Sequence, residues 1–318
     1  MENKDEITLG EGFGKFINFK KARNLSPATI EYYQNNYSFL MKYIDAETKC
    51  TDIDSDTIDE YVEYMMEELN VAEQTVNTRL RFVRCFFYYL MKYGYMDSFE
   101  ILLIRAGEQL VEIYTDEDIE ALIKKPDTDD CSFSQYRNWV MVCHFLSTGN
   151  RLTTVRNLKN GDVNIEDHEV VLRKVKNKKP YVMPLSNSYC EILSEYMSVR
   201  GGDDDDYLFP NAYGEQLAEK SLQDGIKSHN ISRGVHKRKI VHLFRHTFAT
   251  KWIVNGGDIF RLQKVLGHTT LEMVKKYVTL ASNDLKTDLD TYNPFEIANQ
   301  NVQPKKALLI QRDKAKRS

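Results

Sequence analysis

Residues 242–250 read His-Leu-Phe-Arg-His-Thr-Phe-Ala-Thr, and this stretch gives the strongest indication of the fold. His242 and Arg245 are three positions apart, so a helix that begins near residue 242 carries both on one face. Taken alone, a histidine and an arginine at a helix start are more often a cap or a packing feature than a functional site. The interpretation therefore depends on the stretches that flank this one.

Four further features lie on either side of it in the sequence. Thr148-Gly149-Asn150-Arg151 places Arg151 after a glycine turn at the end of an apolar helix, and Lys176 falls at the tip of a predicted β-hairpin. Leu266-Gly267-His268 lies at a junction between helix and turn, and Tyr277 follows on the next predicted helix. Each residue singly is an ordinary surface or core residue, whereas the ordered set points to a function.

This ordered set resembles the tyrosine recombinase (phage integrase) family. Residues 242–250 are similar to its His-x-x-Arg motif, residues 266–268 to its Leu-Gly-His motif, and residues 275–278 (Lys-Lys-Tyr-Val) to the segment around its nucleophile. Residues 148–151 match its first arginine motif, and Lys176, eight residues before a proline, matches its hairpin lysine. The 32 residues from Arg245 to Tyr277 are a spacing typical of the family.

One position departs from the family pattern. The family usually has an acidic residue three positions after the first arginine, and here that position is Thr154. The resemblance still implies a complete catalytic set, with Tyr277 as the nucleophile. Its members are Arg151, Lys176, His242, Arg245, His268 and Tyr277.

The chemistry of phosphodiester cleavage explains why these residue types belong together. Two guanidiniums, Arg151 and Arg245, can each donate forked hydrogen bonds to the non-bridging oxygens, where charge gathers in the transition state. A phenol has a pKa near 10, so deprotonating Tyr277 at pH 7 costs roughly 4 kcal/mol. Nearby cations lower that cost, and His242 is expected to take the proton as general base. Lys176 would protonate the 5′-oxygen that leaves, and His268 would hold a non-bridging oxygen.

The expected reaction needs neither a metal nor a cofactor. Its product is a 3′-phosphotyrosyl DNA and a free 5′-hydroxyl, and the ester retains the energy for rejoining. The sequence contains no Gly-x-x-x-x-Gly-Lys loop for ATP. The resemblance implies a double-stranded DNA partner with a specific recombination site, a homodimer on one site and a homotetramer when two sites synapse.

Other functions remain open at this stage. A DNA-binding relative without catalysis is disfavoured because all six catalytic positions are filled. A type IB topoisomerase is disfavoured by the separate helical domain and by the position of His268. Within the family, the sequence following Tyr277 favours the integrase of a mobile element over Xer-type resolution of chromosome or plasmid dimers.

The charge distribution agrees with a local nucleic-acid interface. The net charge of −4 indicates no special partner, and residues 1–110 carry 12 basic and 19 acidic side chains. Residues 226–278, however, carry 11 basic and 2 acidic side chains. Phosphate binding depends on such local surfaces and not on the total. DNA-contacting candidates outside the catalytic set are Arg79, Arg81, Arg84, Lys178 and Lys179.

Composition and periodicity predict the architecture. The chain has 318 residues with 42% hydrophobic and 28% charged side chains, which favours about two globular domains. Helices are predicted over 26–44, 55–69, 73–92, 136–147 and near 215, 242, 258 and 270, and Thr115 is expected to cap another. Short strands are predicted around 163–165, 170–172 and 181–183. The fold class is mainly α with a small antiparallel β-sheet: a helical core-binding domain followed by a mixed α/β catalytic domain.

The sequence also predicts domain boundaries and a cellular location. We predict a helical DNA-binding domain over 1–100, a linker over 101–112, a catalytic domain over 113–292 and a tail over 293–318. The tail has an apolar run, residues 307–310, between basic residues, and either packs on its own domain or docks onto a neighbouring protomer. Five scattered cysteines without a C-x-x-C motif argue against a disulfide scaffold and a zinc site. No apolar run is long enough to span a membrane, so a cytoplasmic location is expected.

Overall fold

The computed structural model describes residues 6–107, 112–173, 180–237, 240–268, 270–281 and Pro294. The chain divides into two compact units, Met1–Leu110 and Val111–Ser318. The four-part division predicted from the sequence is finer than this, and it stays a prediction. The tail, apart from Pro294, lies outside the described residues.

The first unit is helical throughout its regular elements. Its α-helices are α1 (Leu9–Ala22), α2 (Pro27–Leu40), α3 (Ser55–Glu63) and α4 (Glu73–Lys92), with a 3₁₀ turn at Cys50–Asp52 and a π-helical turn at Tyr64–Glu68. The predicted start of α2 is confirmed, because Ser26 Oγ accepts from the amide of Thr29 and Pro27 occupies the first turn. Helix α1 was not expected from the sequence pattern.

Helix α4 supplies the centre of this unit's core. The predicted apolar stripe is confirmed, because all five of its residues are fully buried: Val76, Leu80, Val83, Phe87 and Leu90. Phe82 and Phe86 are buried beside them, so the apolar face is wider than the stripe. Residues at i, i+3, i+4 and i+7 meet on one side of a helix, which explains why one stripe can contact α1, α2 and the π-helical turn.

The second unit contains eight further α-helices among the described residues. They are α5 (Asp116–Ile123), α6 (Phe133–Thr148), α7 (Leu152–Arg156), α8 (Asn187–Arg200), α9 (Glu219–Ser232), α10 (Ile240–Val254), α11 (Ile259–Leu266) and α12 (Glu272–Ala281). The strands are β1 (Val163–Asn164), β2 (Glu169–Leu172) and β3 (Tyr181–Pro184), and a 3₁₀ turn at Asn160–Asp162 precedes β1.

Helix α6 is the central element of this unit. It begins with a capping box, in which Ser132 and Gln135 satisfy each other's backbone amides. Every residue from Tyr136 to Phe145 is buried, and α6 packs against α5, α8, α9 and α10. Because neighbouring elements pack against α6 on all sides, the position of its C-terminal end is fixed. The turn that follows α6 is therefore held in a defined position.

The sheet is a three-stranded antiparallel meander in the order β1-β2-β3. Val170 pairs with Val163 on one side and with Met183 on the other. Alternate residues of β2, Val170 and Leu172, are buried and pack into the main core. The predicted fold class, mainly α with a small antiparallel sheet, is confirmed.

No helix within the described residues is both long enough and apolar enough to cross a membrane.

Replacing Leu222 by alanine tests the packing of α9 on α6. Leu222 is fully buried, so the substitution should lower the free energy of unfolding of this unit by about 2–5 kcal/mol. Both tryptophans of the chain, Trp139 and Trp252, lie in this unit, so their fluorescence in a urea titration follows it selectively. The exposed neighbour Lys220→Ala is the matched control and should change stability by less than about 0.5 kcal/mol. Equal effects of the two changes would contradict the described packing.

Candidate active site

Arg245 is the most deeply buried arginine of the predicted catalytic set. It lies on α10 with 9% of its surface exposed, and its guanidinium contacts a turn and a helix end. Its Nη1 donates to the carbonyl of Gly149 at 2.8 Å, and its Nη2 donates to the carbonyl of Leu266 at 2.7 Å. A third contact of 2.7 Å joins Nη2 to Nε2 of His268. Burial lowers the pKa of Arg245 to about 10, and the charge of Arg151 acts in the same direction.

These contacts leave part of the guanidinium for a ligand. An arginine has five N–H donors, of which three are used here by the protein. The partners are two carbonyls and an imidazole, so none of them neutralises the positive charge. Arg245 is therefore both fixed in place and still able to bind an anion.

The turn at residues 148–151 positions Arg151. Gly149 ends α6 with φ of 60°, and a Cβ there would lie 2.7 Å from Cδ1 of Phe248, so only glycine fits. Arg151 is then the N-cap of α7, with an extended backbone. Its pKa is lowered by burial, an effect that the hydroxyl of Tyr277 partly opposes. Among the described residues, no ion pair or hydrogen bond engages its guanidinium.

A buried polar chain supports this turn from the side of α6. Nδ2 of Asn150 lies 3.1 Å from Nε2 of His144, and Nδ1 of His144 lies 2.8 Å from the hydroxyl of Tyr189. An amide nitrogen donates, so Nε2 of His144 accepts and its Nδ1–H donates to Tyr189. Burial lowers the pKa of His144 to about 3, which keeps the ring neutral. Neither His144 nor Asn150 is predicted from the sequence as part of the site.

The loop after α11 places His268 beside Arg245. Asp258 caps the start of α11 by accepting from the amide of Arg261, and Gly267 ends the helix with φ of 60°. The next residue, His268, directs Nε2 at the guanidinium of Arg245. In this arrangement His268 orients the arginine.

Tyr277 lies on α12 and reaches the same place. It is 1% exposed and packs with Leu262, Leu266 and Val274. Burial raises the pKa of Tyr277, and the charges of Arg245 and Arg151 oppose that increase. Its hydroxyl lies 3.0 Å from Nδ1 of His246.

His246 is therefore a member of the site that the sequence motifs do not predict. It follows Arg245 directly on α10 and lies one helical turn after His242. The contact with Tyr277 joins α10 to α12 across 31 residues, and no local spacing reveals such a contact. The only available signal was that three basic or imidazole side chains share the first turns of α10.

One cleft of about 1050 Å³ is lined by Arg151, Arg245, His246, His268 and Tyr277. His242 is exposed in it, so the structure places the residue expected as general base in the cleft but not at the hydroxyl of Tyr277. The facing wall comes from α9 and the segment before α10, and it includes Glu219, Gln223, Asp224, Lys227 and Lys237. Among the described residues, no three His, Cys, Asp or Glu side chains come together as a metal site would require.

The position where the family pattern differs is buried. Thr154 lies in the single turn of α7 with 6% of its surface exposed. Its amide donates to the carbonyl of Arg151, the N-cap residue three positions earlier. The N-cap position and the Gly149 turn fix the backbone of Arg151 without a carboxylate at residue 154.

The hairpin lysines lie outside the described residues. Lys176, Lys178 and Lys179 are in the segment 174–179, which follows β2. Arg173, the last described residue before this segment, forms an ion pair with the buried carboxylate of Asp162.

The DNA-contacting candidates of the first unit have different surroundings. The guanidinium of Arg79 packs over the ring of Phe39 at 3.8 Å and donates to Oδ1 of Asn36 at 3.1 Å, so it already has protein partners. Arg81 is exposed and Arg84 is half-buried on the same helix, α4. These two are the more accessible candidates for a contact with DNA.

Family models match both units of the chain. The model described as the phage integrase family matches residues 112–284, and the model described as the N-terminal SAM-like domain of phage integrases matches residues 13–96. Together they include every described residue of the cleft.

Curated relatives and solved structures agree with these matches. The chain is 26% identical over 285 residues to the tyrosine recombinase XerD of Listeria monocytogenes serovar 1/2a, covering 86% of this chain and 94% of that protein. It is 24% identical over 286 residues to the tyrosine recombinase XerC of Pelobacter propionicus, covering 87% and 93%. A lambda integrase dimer bound to a COC′ core site shares the fold with a TM-score of 0.68 at 15% identity, covering 86% of this chain and 78% of that one. The Tn1549 transposon integrase in complex with circular intermediate DNA gives 0.69 at 17% identity, covering 85% and 95%.

The buried histidine beneath the turn predicts a pH dependence of stability. The pKa of His144 is about 3 in the folded protein against an ordinary 6.5, so below pH 6.5 the unfolded chain binds a proton that the folded chain does not. The stabilising contribution is therefore complete above pH 6.5 and declines as the pH falls towards about 3. From pH 7 to pH 5.5, the wild type should lose about 1 kcal/mol more unfolding free energy than His144→Leu. Urea titrations followed by tryptophan fluorescence measure this, and equal losses would mean that His144 is not held neutral.

Proposed function

This chain belongs to the phage integrase family and is a tyrosine site-specific recombinase, and from this we propose that it binds duplex DNA at a specific site and exchanges strands there through a 3′-phosphotyrosyl intermediate. The observation that carries the proposal is the convergence of Arg151, Arg245 and Tyr277 in one cleft, with an imidazole against each of the last two. Within the described part of the chain neither arginine has a carboxylate partner, and two such cations are suited to a phosphate.

The proposed reaction begins when the scissile phosphate enters the cleft. Arg245 and Arg151 donate hydrogen bonds to the non-bridging oxygens and stabilise the charge that develops there. The hydroxyl oxygen of Tyr277 forms a bond to phosphorus while the bond from phosphorus to the 5′-oxygen breaks. The proton of the phenol passes to a histidine of the cleft, and Lys176 gives a proton to the leaving 5′-oxygen.

The remaining catalytic assignments are also proposals. His268 holds Arg245 in register. To hold a non-bridging phosphate oxygen as well, its Nε2 must turn from Arg245 and carry a proton when DNA is bound. His242, exposed in the cleft, is available to the phosphate or to the proton of the nucleophile. Arg81, Arg84, Lys178 and Lys179 contact the DNA backbone. Arg79 belongs to this group only if DNA binding releases it from Phe39.

We further propose that protomers act in pairs on one site and as four in the synapse, as the integrase of a mobile element. The dimer bound to a core site and the tetramer bound to a Holliday junction are known for lambda integrase, which shares the fold. The names of the curated relatives, XerD and XerC, favour a second role, the resolution of chromosome or plasmid dimers. Sequencing the DNA that the protein recombines decides between them, because element ends and dimer-resolution sites differ in their genomic setting.

The nucleophile is tested by Tyr277→Phe. This change removes one oxygen from a residue whose ring is buried, so folding and DNA binding should be unchanged while the covalent adduct is lost. The measurement is an SDS-resistant protein–DNA adduct on a nicked suicide substrate, with a gel shift for binding. Tyr292→Phe serves as the control and should form the adduct as the wild type does. An adduct in Tyr277→Phe would assign the nucleophile to another tyrosine.

The general acid is tested by Lys176→Ala on two substrates. An ordinary 5′-oxygen needs a proton to leave, whereas a 5′-bridging sulfur leaves without one. Loss of a general acid should therefore slow cleavage of ordinary DNA by about 10²- to 10⁴-fold and cleavage of the sulfur substrate by much less. Lys178→Ala is the matched control from the same segment. Equal losses on both substrates would show that Lys176 only binds phosphate.

A further inference from the structure

Two histidines one helical turn apart on α10 face the cleft in different ways. His246 is half-buried, and its Nδ1 lies 3.0 Å from the hydroxyl oxygen of Tyr277, with the rings 5.7 Å apart. His242, four residues earlier, is exposed at the entrance to the same cleft. The sequence alone predicts His242, and not His246, as the residue that removes the proton of the nucleophile.

We propose that His246 is the catalytic residue that accepts the proton of Tyr277. The inference deepens the proposed function and rests on it. A general base must lie within about 2.6–3.2 Å of the atom that it deprotonates, and the distance from Nδ1 to the phenol oxygen satisfies that requirement. His242 then serves the phosphate and not the nucleophile.

The surroundings of the pair fit this assignment. Tyr277 is 1% exposed, so the imidazole already in contact with its hydroxyl is better placed than bulk water to take the proton. Arg245 and Arg151 stabilise the phenolate once it forms. The arginines therefore stabilise the negative charge on the phenol oxygen, while the imidazole of His246 takes the proton.

The proton balance of the step is simple. In the ground state Nδ1 of His246 carries a lone pair and accepts the hydrogen bond from the phenol. As the bond from the phenol oxygen to phosphorus forms, the O–H bond breaks and its proton stays on Nδ1, which gives an imidazolium. When a 5′-hydroxyl attacks the phosphotyrosyl ester in the reverse direction, its own proton passes to the general acid that gave one up in cleavage. The bond from phosphorus to the phenol oxygen breaks, and Nδ1 of His246 returns its proton to the phenolate.

The decisive experiment compares His246→Asn with His242→Asn across a range of pH. Asparagine keeps a polar side chain of similar length but cannot act as a base near neutral pH. The measurement is the rate of covalent adduct formation on a nicked suicide substrate, with a gel shift and a melting curve for each variant. We expect His246→Asn to slow the rate by about 10²- to 10⁴-fold at neutral pH. Its rate should rise about tenfold per pH unit up to pH 9, where the wild-type rate is already level.

The control variant defines the opposite outcome. His242→Asn should be slower than the wild type and keep the wild-type pH profile, because its role is at the phosphate. The proposal is overturned if His246→Asn keeps that profile, or if His242→Asn shows the tenfold rise instead. If His246→Asn does not fold, His246→Gly with added imidazole replaces it, and a rate that increases with imidazole concentration supports the proposal while a flat response rejects it.

The wild-type protein and Tyr277→Phe separate this inference from the proposed function. If the wild type forms no adduct at any pH on DNA that it binds, the proposed function is wrong. If the wild type forms the adduct through Tyr277 and His246→Asn does so at the wild-type rate, only the assignment of His246 is wrong.

Discussion

Three hydrogen bonds from the buried guanidinium of Arg245 hold together segments that are distant in the chain. They reach Gly149, 96 residues earlier, and Leu266 and His268, 21 and 23 residues later. The turn after α6, the end of α11 and the loop before α12 thus meet at one side chain of α10. Since buried carbonyls need donors and a buried guanidinium needs acceptors, each partner depends on the other. The position of Arg151, on the same turn as Gly149, follows from that contact.

The electrostatics of the cleft show opposing tendencies. Burial lowers the pKa of Arg245 and Arg151 and raises that of Tyr277, so it disfavours the charged form of each group. The charges of the two arginines oppose the rise in the pKa of Tyr277, and Tyr277 opposes the fall in the pKa of each arginine. A phosphate that enters the cleft would favour both guanidiniums in their charged form and exclude water. The arrangement therefore suits a bound anion better than an empty site.

Much of the fold could be predicted because its signals are local. The caps at Ser26 and Thr115, the stripe along α4 and the alternation in β2 are properties of neighbouring residues. Helix α1 was not predicted because three glycines lower its intrinsic helix propensity. One of them, Gly12, is needed for close packing, since a Cβ there would lie 2.9 Å from Leu90. Tertiary contacts of this kind leave no periodic pattern.

The candidate site was also predictable only in part. The order and spacing of Arg151, Arg245, His268 and Tyr277 were readable in the sequence, and the structure brings these four residues to one cleft. The contact of His246 with Tyr277 could not be predicted from the sequence, because it depends on how α10 packs against α12. The support of the turn by His144 was also missed, since a buried histidine in an apolar helix looks like any other core residue.

The carbonyl partners of Arg245 have a consequence for how such a protein evolves. A carboxylate in their place would neutralise the guanidinium and make the free protein more stable, but it would compete with the phosphate. Neutral acceptors leave the repulsion between Arg245 and Arg151 in place in the free protein and let bound DNA relieve it. Under selection for stability alone, a neutral side chain at residue 151 would be an improvement. The positive pair is thus a cost to the stability of the free protein that a bound phosphate recovers.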